Sequence, residues 1–156
     1  MIKQITIFDL DGTTLDSSHR QATLPNGNLN LAHWKENSTP EKIFDDKVLP
    51  LAQEVRRRNK KGDYTIVCTA RTLSYADFEF LMQEGILADK VISRPLGNNE
   101  DDAKLKRKQL NSFLSLRQFK QANKVMFDDN NNVRSELRQI GISVIHPNKY
   151  NNRKVA

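Results

Sequence analysis

The chain has 156 residues and a formal net charge of +6; 28% of its residues are charged and 37% are of hydrophobic types. This length suits one domain with a substantial core, and no apolar run approaches the roughly 20 residues of a membrane-spanning helix. The excess of Lys and Arg favours anionic partners such as phosphorylated substrates or nucleic acid, although a solvated basic surface explains it equally well.

The first residues lead directly into a strand-like segment, without an apolar leader or a cleavage site. On that ground we expect a cytoplasmic protein with no membrane partner. The single cysteine, Cys68, excludes an internal disulfide, and its apolar neighbours favour a buried packing role over a reactive thiol. No prediction of oligomeric state follows from the sequence.

Short apolar segments alternate with segments of helical periodicity along the chain. The predicted strands cover residues 3–8, 64–68, 91–92, 125–127 and 142–145. The predicted helices cover residues 51–62, 78–85, 103–116 and 133–141. This alternation predicts an α/β fold of the Rossmann-like type, in which a parallel sheet carries helices on both faces.

One stretch interrupts this alternation. Residues 16–48 are polar, rich in Asn and weakly periodic, and the stretch is longer than a connecting loop usually is. We interpret it as a small cap or flap, inserted after the first strand of a single domain that spans residues 1–156. A helix inside it is predicted to begin at segment 38–41 (Ser-Thr-Pro-Glu), and the tail from Asn148 is expected to fray.

Polar residues cluster where three of the predicted strands end. In an open parallel sheet, ligands bind outside the carboxyl ends of the strands. The residues at these ends are Asp9 and Asp11 after the first strand, Thr69, Ala70 and Arg71 after the second, and Asp128 and Asp129 after the fourth. Four carboxylates, a hydroxyl and a guanidinium are therefore expected at one edge of the sheet.

Carboxylates crowded at one edge repel one another unless a cation lies among them. Oxygen ligands suit a hard cation such as Mg²⁺, which also keeps coordination positions for water and a substrate phosphate. With the metal in place, one of the carboxylates can attack phosphorus and form a covalent aspartyl-phosphate. A single Asp-Gly pair is often only a turn, but a turn does not account for the whole set.

A phosphate among so many carboxylates also needs a cation from the protein, and segment 104–108 offers several. Lys106 shares a helical face with apolar residues at i+4, i+7 and i+8. A lysine on the core-facing side of a helix extends its ammonium to an edge of the core. Lys106 is therefore the predicted phosphate-binding lysine, with Lys104 and Lys108 as the alternatives.

These residues resemble the motifs of the haloacid dehalogenase (HAD) superfamily of phosphohydrolases. The first motif, a strand followed by Asp-x-Asp-Gly-Thr, matches residues 8–15 (FDLDGTTL), and the second, a strand ending in Thr or Ser, matches residues 66–69 (IVCT). The lysine of the third motif corresponds to Lys106, and the paired acids of the fourth correspond to Asp128-Asp129. The four motifs follow the order of the family and cover nearly the whole chain outside the insertion.

The resemblance implies a role for each of these residues. Asp9 is the implied nucleophile, and Asp11 is the implied acid that protonates the leaving oxygen and then the base that activates water. Thr69 and Lys106 are implied to hold the phosphoryl oxygens. The implied ligands of Mg²⁺ are Asp9, the main-chain carbonyl of Asp11, Asp128 and, through water, Asp129.

A narrower resemblance, to the phosphatase domain of phage polynucleotide kinase and its stand-alone relatives, suggests a substrate. It rests on the short insertion and on segments 16–20 (DSSHR), 69–71 (TAR), 93–95 (SRP) and 101–102 (DD). It implies removal of 3′-phosphates from nucleic acid ends. The alternatives are a 5′-nucleotidase or general small-molecule phosphatase of the same superfamily, and a non-enzymatic nucleic-acid-binding protein.

Further residues are expected to contact the substrate; they are Arg20, Arg71, Gly12 and Ala70. For the two arginines the alternative is a surface role. His19 is expected to be structural or exposed to solvent. Trp34 is expected to anchor the insertion to the body of the domain, and stacking on a base is the alternative.

Overall fold

The strands of the protein form a large sheet and a small one. The computed structural model describes residues 1–152, and the strands there are β1 (Gln4–Phe8), β2 (Leu15–Asp16), β3 (Lys47–Val48), β4 (Tyr64–Cys68), β5 (Lys90–Ile92), β6 (Asn123–Phe127) and β7 (Ser143–Ile145). The large sheet has the order β5-β4-β1-β6-β7, and its neighbouring strands are parallel. The predicted fold class is therefore confirmed, and each strand of the large sheet overlaps a predicted one.

Helices cover both faces of the large sheet. They are a 3₁₀ helix (Ser18–Arg20), α1 (Leu31–Glu36), α2 (Pro40–Phe44), α3 (Ala52–Lys61), α4 (Tyr75–Gln83), α5 (Asp102–Leu114), α6 (Asn131–Arg138) and α7 (Asn148–Asn151). Buried residues of α5 and α6 belong to one hydrophobic core, and those of α3 and α4 belong to another. Among residues 1–152, no helix has the length and apolar character needed to cross a membrane.

The central strand β1 is buried from both sides. Ile5 and Ile7 join the core beneath α5 and α6, whereas Phe8 joins the core beneath α3 and α4. These three side chains have no exposed surface, which is typical of a central strand in a doubly covered parallel sheet. Because the strand ends at Phe8, Asp9 is the first residue at the carboxyl edge of the sheet.

The predicted insertion leaves and rejoins the domain through the small sheet. Strands β2 and β3 pair antiparallel, with Asp16 opposite Lys47. The helix predicted to begin at segment 38–41 is α2, and the Thr39 hydroxyl caps it by accepting the Lys42 N–H. Ile43 of α2 is buried in the same core as α4, so the insertion is attached to that side of the sheet.

The expectation of a frayed tail is wrong for residues 148–152. Residues Asn148–Asn151 form α7, and the ring of Tyr150 meets Phe127 edge-on with centroids 5.2 Å apart. The polar, Asn-rich sequence does not reveal this, because the residues that bind the tail lie far away in the chain. The rest of the predicted tail, residues 153–156, lies outside the described residues.

Candidate active site

Three acidic side chains meet at the carboxyl edge of the large sheet. Asp9 follows β1 and Asp128 follows β6, which is the neighbour of β1 in the sheet. Carboxylate oxygens of Asp9, Asp128 and Asp129 all lie within 4.8 Å of one another. Asp9 and Asp128 are buried, whereas Asp129 is exposed. The structure therefore brings together the acids that the sequence places at the ends of two separate strands.

The ammonium of Lys106 lies between two of these carboxylates. Its Nζ is 2.8 Å from Oδ1 of Asp9 and 2.7 Å from Oδ2 of Asp128, and the residue is 2% exposed. Burial acts to lower the pKa of Lys106, but attraction to the two carboxylates outweighs burial and raises the pKa above its ordinary value. Lys106 is thus a permanent cation, and it reaches the site from the buried face of α5.

The loop after β1 holds Asp9 from the other side. Thr13 donates its hydroxyl to Oδ2 of Asp9 at 3.0 Å, and Thr14 donates its hydroxyl to the Asp9 main-chain oxygen at 2.9 Å. Gly12 has a φ of 78°, and a Cβ at this position would lie 2.3 Å from Oδ2 of Asp129. Glycine is therefore required at position 12 both by the backbone conformation and by the space that the acidic cluster occupies.

Asp11 lies beside the acidic cluster with partners of its own. Its Oδ1 accepts the Ser17 hydroxyl at 2.6 Å, and Nη1 of Arg71 is 3.4 Å from the same oxygen. Burial raises the pKa of Asp11, and the charge of Arg71 offsets the increase only in part. The carboxyl group accordingly retains its proton to higher pH than an ordinary aspartate.

Thr69, Ala70 and Arg71 follow β4 at the same edge. Thr69 is buried, and its hydroxyl oxygen accepts the Arg71 N–H at 3.3 Å. Arg94 fastens this turn, because its Nε donates to the Ala70 carbonyl and its main-chain N–H donates to the Arg71 carbonyl. In the sequence, Arg94 belongs to segment 93–95 (SRP), and no local pattern there indicates this contact.

The guanidinium of Arg71 is almost fully buried, with only 8% of the side chain exposed. Its Nη2 lies 3.0 Å from Oδ1 of Asp77. Within residues 1–152, however, none of its side-chain nitrogens has a hydrogen bond of good geometry. Buried donors are normally satisfied, so Arg71 has donor capacity left for a ligand at the edge where Thr69 lies.

Arg20, by contrast, does not reach the site, and the predicted contact with substrate is not what the structure shows. Its side chain has no exposed surface, and it donates from Nε and Nη2 to the two carboxylate oxygens of Asp46, each at 2.8 Å. Its guanidinium also lies 4.3 Å from the ring centroid of Trp34. His19 contacts Asp46 as well, at 2.8 Å. These residues hold the insertion together. The Trp34 ring packs on Arg20 and also lies 5.7 Å from the Arg71 guanidinium of the body, as expected for a residue that anchors the insertion.

We expect Arg20→Met to lower the free energy of unfolding by about 3–5 kcal/mol, because it leaves the Asp46 carboxylate buried without its partner. Urea unfolding measures the change. Arg57→Met is the matched control: Arg57 is half-exposed and pairs with Glu54 one helical turn away, so its loss is expected to have a much smaller effect. Equal effects of the two substitutions would contradict the structural role of Arg20.

The acidic cluster has the composition of a magnesium site. Burial, the larger cause, and repulsion from Asp9, the next largest, raise the pKa of Asp128 to about 6. Partial burial of the carboxyl group, with repulsion from Asp9 and Asp128, raises the pKa of Asp129 to about 7. The single charge of Lys106 does not balance three carboxylates, whereas a divalent ion with oxygen ligands would do so. The donor set therefore fits Mg²⁺.

In EDTA, we expect the free energy of unfolding to fall as the pH rises from about 4 to about 7, the range between the ordinary aspartate pKa and the raised values. In this range the folded state holds protons on Asp128 and Asp129 that the unfolded chain has already lost, so deprotonation favours unfolding. Above pH 7 this contribution is constant. Urea unfolding of wild type and Asp129→Asn measures it, and an identical pH dependence of the two proteins would contradict it.

The parallel sheet, with the acidic cluster and the buried lysine at its carboxyl edge, has the fold of HAD-type phosphohydrolases. More specifically, the chain belongs to the bacteriophage T5 5′-deoxynucleotidase family, whose profile matches residues 1–154. The predicted resemblance to the HAD superfamily is thus confirmed at the level of the fold.

A curated relative and solved structures agree with this assignment. The chain is 36% identical over 89 residues to the 5′-deoxynucleotidase of Escherichia phage T5, a match that covers 54% of this chain and 36% of that protein. A chain of the Pnkp1/Rnl/Hen1 complex superposes with a TM-score of 0.66 at 23% identity, over 93% of this chain and 46% of that one. The HAD-like hydrolase SP0104 from Streptococcus pneumoniae superposes with a TM-score of 0.66 at 12% identity, over 92% and 84% of the two chains. The chain thus spans well under half the length of the phage T5 relative.

Proposed function

We propose that the protein is a magnesium-dependent phosphohydrolase that forms an aspartyl-phosphate on Asp9 and acts on deoxyribonucleoside 5′-monophosphates. The substrate class is supported by the family of the chain, whose profile matches residues 1–154. Within the candidate site, one observation carries the mechanism: Asp9 stands between the Lys106 ammonium and the Thr13 hydroxyl, with two further carboxylates within 4.8 Å. The 5′-nucleotidase alternative from the sequence thereby becomes the leading candidate.

In the first step, an oxygen of the Asp9 carboxylate attacks phosphorus and the bond from phosphorus to the leaving oxygen breaks. Asp11 donates its proton to that oxygen, so the nucleoside leaves as a neutral alcohol. The raised pKa of Asp11 suits this task, because the carboxyl must be protonated at the start. Lys106 and the Thr69 hydroxyl stabilise the charge on the transferring phosphoryl oxygens.

In the second step, the Asp11 carboxylate takes a proton from water, and the oxygen of that water attacks the phosphorus of the aspartyl-phosphate. The bond to the Asp9 oxygen breaks, inorganic phosphate leaves and both aspartates return to their starting states. Arg71 lies 3.4 Å from Asp11 and has unused donors, which supports a role in holding a substrate or product oxygen. The main chain at Gly12 and Ala70 would line the same space.

Asp9, Asp128 and Asp129 would hold Mg²⁺, with the Asp11 carbonyl as a further ligand implied by the superfamily. When bound, the ion supplies charge that reduces the repulsion between the nucleophile and an anionic phosphate. The arrangement of the three carboxylates around one point supports this assignment.

A phosphate at the 3′ end of a polynucleotide is the second candidate substrate. The observation in its favour is the small size of the insertion, which contains only α1, α2 and the 3₁₀ helix between β2 and β3. A short cap leaves room for a polymer end. The net charge of +6 also suits a polyanion.

The experiment compares Mg²⁺-dependent phosphate release from deoxyribonucleoside 5′-monophosphates, ribonucleoside 5′-monophosphates, a 3′-phosphorylated oligonucleotide and a 5′-phosphorylated one. We expect the highest kcat/KM with the deoxyribonucleotides. Preferred release from the 3′-phosphorylated oligonucleotide would replace this substrate assignment by the second candidate. No release from any member of the panel in Mg²⁺ would overturn both.

A further inference from the structure

The side-chain amide of Asn151 joins two loops that are distant in the sequence. Its Nδ2 donates to the main-chain oxygen of Thr13 at 2.9 Å, and its Oδ1 accepts the Leu51 N–H at 2.9 Å. One of these loops follows Asp9, and the other leads into α3. One amide group thus fastens the end of α7 to both loops.

The Thr13 contact connects Asn151 to the acidic cluster. Thr13 is fully buried, and its hydroxyl donates to Oδ2 of Asp9 at 3.0 Å. The carbonyl that Asn151 binds and the hydroxyl that binds Asp9 belong to the same residue, so a rotation of Thr13 would move both. The adjacent Thr14 carbonyl accepts the Leu49 N–H, which ties the returning end of the insertion to the same loop.

We propose that Asn151 is a positioning residue, which holds Thr13 so that its hydroxyl keeps the Asp9 carboxylate oriented for attack. This inference rests on the proposed function, because it requires Asp9 to be the nucleophile. The side chain of Asn151 binds main-chain groups of the two loops and has no proposed contact with the substrate. We therefore expect its substitution to change kcat rather than KM. Small displacements of a reacting group are costly, up to about 10²-fold in rate.

The variant Asn151→Asp separates positioning from folding. A carboxylate oxygen can still accept the Leu51 N–H at the start of α3, where a negative charge is favourable. It cannot donate to the Thr13 carbonyl, and two oxygens then face each other. We expect kcat to fall by about tenfold or more, with KM within about twofold. The lost hydrogen bond should lower the midpoint of urea unfolding, but the variant should remain folded without urea.

Asn152→Asp is the matched control, because it makes the same chemical change at the next residue, which is exposed. We expect it to behave as wild type. Asn151→Ala, which introduces no charge, is measured in the same way. If Asn151→Asp does not fold, Asn151→Ala still tests the proposal. A folded Asn151 variant whose kcat matches that of Asn152→Asp would overturn the proposal.

A double-mutant cycle with Thr13→Val tests the route through the hydroxyl, since additive effects indicate independent sites. We expect Asn151→Ala to lower kcat far less in the Thr13→Val background than in wild type; an equal decrease in both backgrounds would overturn the proposal. All variants are assayed on the panel member that wild type hydrolyses fastest. Activity that requires Asp9 but not Asn151 would refute this inference alone, whereas activity that persists in Asp9→Asn would refute the proposed mechanism.

Discussion

Asp9→Asn is expected to lower kcat for phosphate release by about 10⁴-fold or more, because a neutral amide does not replace a carboxylate nucleophile. The variant should still fold. Lys106 keeps Asp128 at 2.7 Å as its partner, and removal of one of three neighbouring carboxylates reduces their mutual repulsion. The loss of activity is therefore expected without a loss of stability.

Two measurements separate these effects for Asp9→Asn. Phosphate release is followed with the best substrate of the panel, and urea unfolding in EDTA gives the free energy of unfolding. Asp45→Asn, an exposed aspartate in the insertion, is the control for the chemical change and should keep full activity. Residual turnover of Asp9→Asn within tenfold of wild type would show that another group attacks phosphorus.

The parts of the site that the sequence predicts well are those that follow from local periodicity. Strand β1 is an apolar run, and the point at which it ends determines that Asp9 lies at the carboxyl edge. Lys106 could be chosen over Lys104 and Lys108 because only it shares the apolar face of α5, and the structure buries it at 2% exposure. The burial of Cys68 follows from the same reasoning.

The parts that the sequence does not predict depend on partners far away in the chain. Arg20 looks like a surface or substrate-binding arginine until Asp46, 26 residues later, is known to be its buried partner. Asn151 looks like part of a polar tail, yet its amide binds Thr13 across 138 residues. Neither contact leaves a periodic pattern, because each requires a single polar residue at each end.

The insertion contains one feature that the sequence predicts and one that it does not. Helix α2 is predictable because Thr39 caps it and Pro40 occupies its first turn. The way in which the insertion attaches to the body is not predictable, because β2 and β3 contain only two residues each. Such short strands carry no alternating pattern.

The charge balance of the site gives Lys106→Met a large expected effect on stability. Asp9 and Asp128 are both buried, and both lie within 2.8 Å of the Lys106 ammonium. Removal of the ammonium leaves two buried carboxylates facing each other, which is expected to lower the free energy of unfolding by about 3–5 kcal/mol in EDTA. Activity should be lost as well, since the transferring phosphoryl group loses its cation.

The pH dependence of this effect has a definite sign. The pKa of Lys106 is raised in the folded state, so its stabilising contribution is complete below the unfolded lysine pKa of about 10.4 and is lost only as the pH rises through the folded value. The pKa of Asp128 is raised, so at acid pH this carboxylate takes up a proton and needs the ammonium less. The difference in stability between wild type and Lys106→Met should therefore grow from about pH 4.5, near the ordinary aspartate pKa, to about pH 8, which lies between the carboxylate and lysine ranges.

Urea unfolding of Lys106→Met at several pH values, in EDTA and in Mg²⁺, measures this dependence. Mg²⁺ is expected to restore part of the lost stability, because a divalent ion compensates the same carboxylates and binds only the folded state. Lys108→Met is the matched control on the same helix: its side chain is 73% exposed and has one contact of 3.3 Å, with Glu100, so its loss should cost about 1 kcal/mol or less at every pH. If the two variants lost equal stability, or if Mg²⁺ destabilised Lys106→Met, the buried ammonium would not be the group that holds the acidic cluster together.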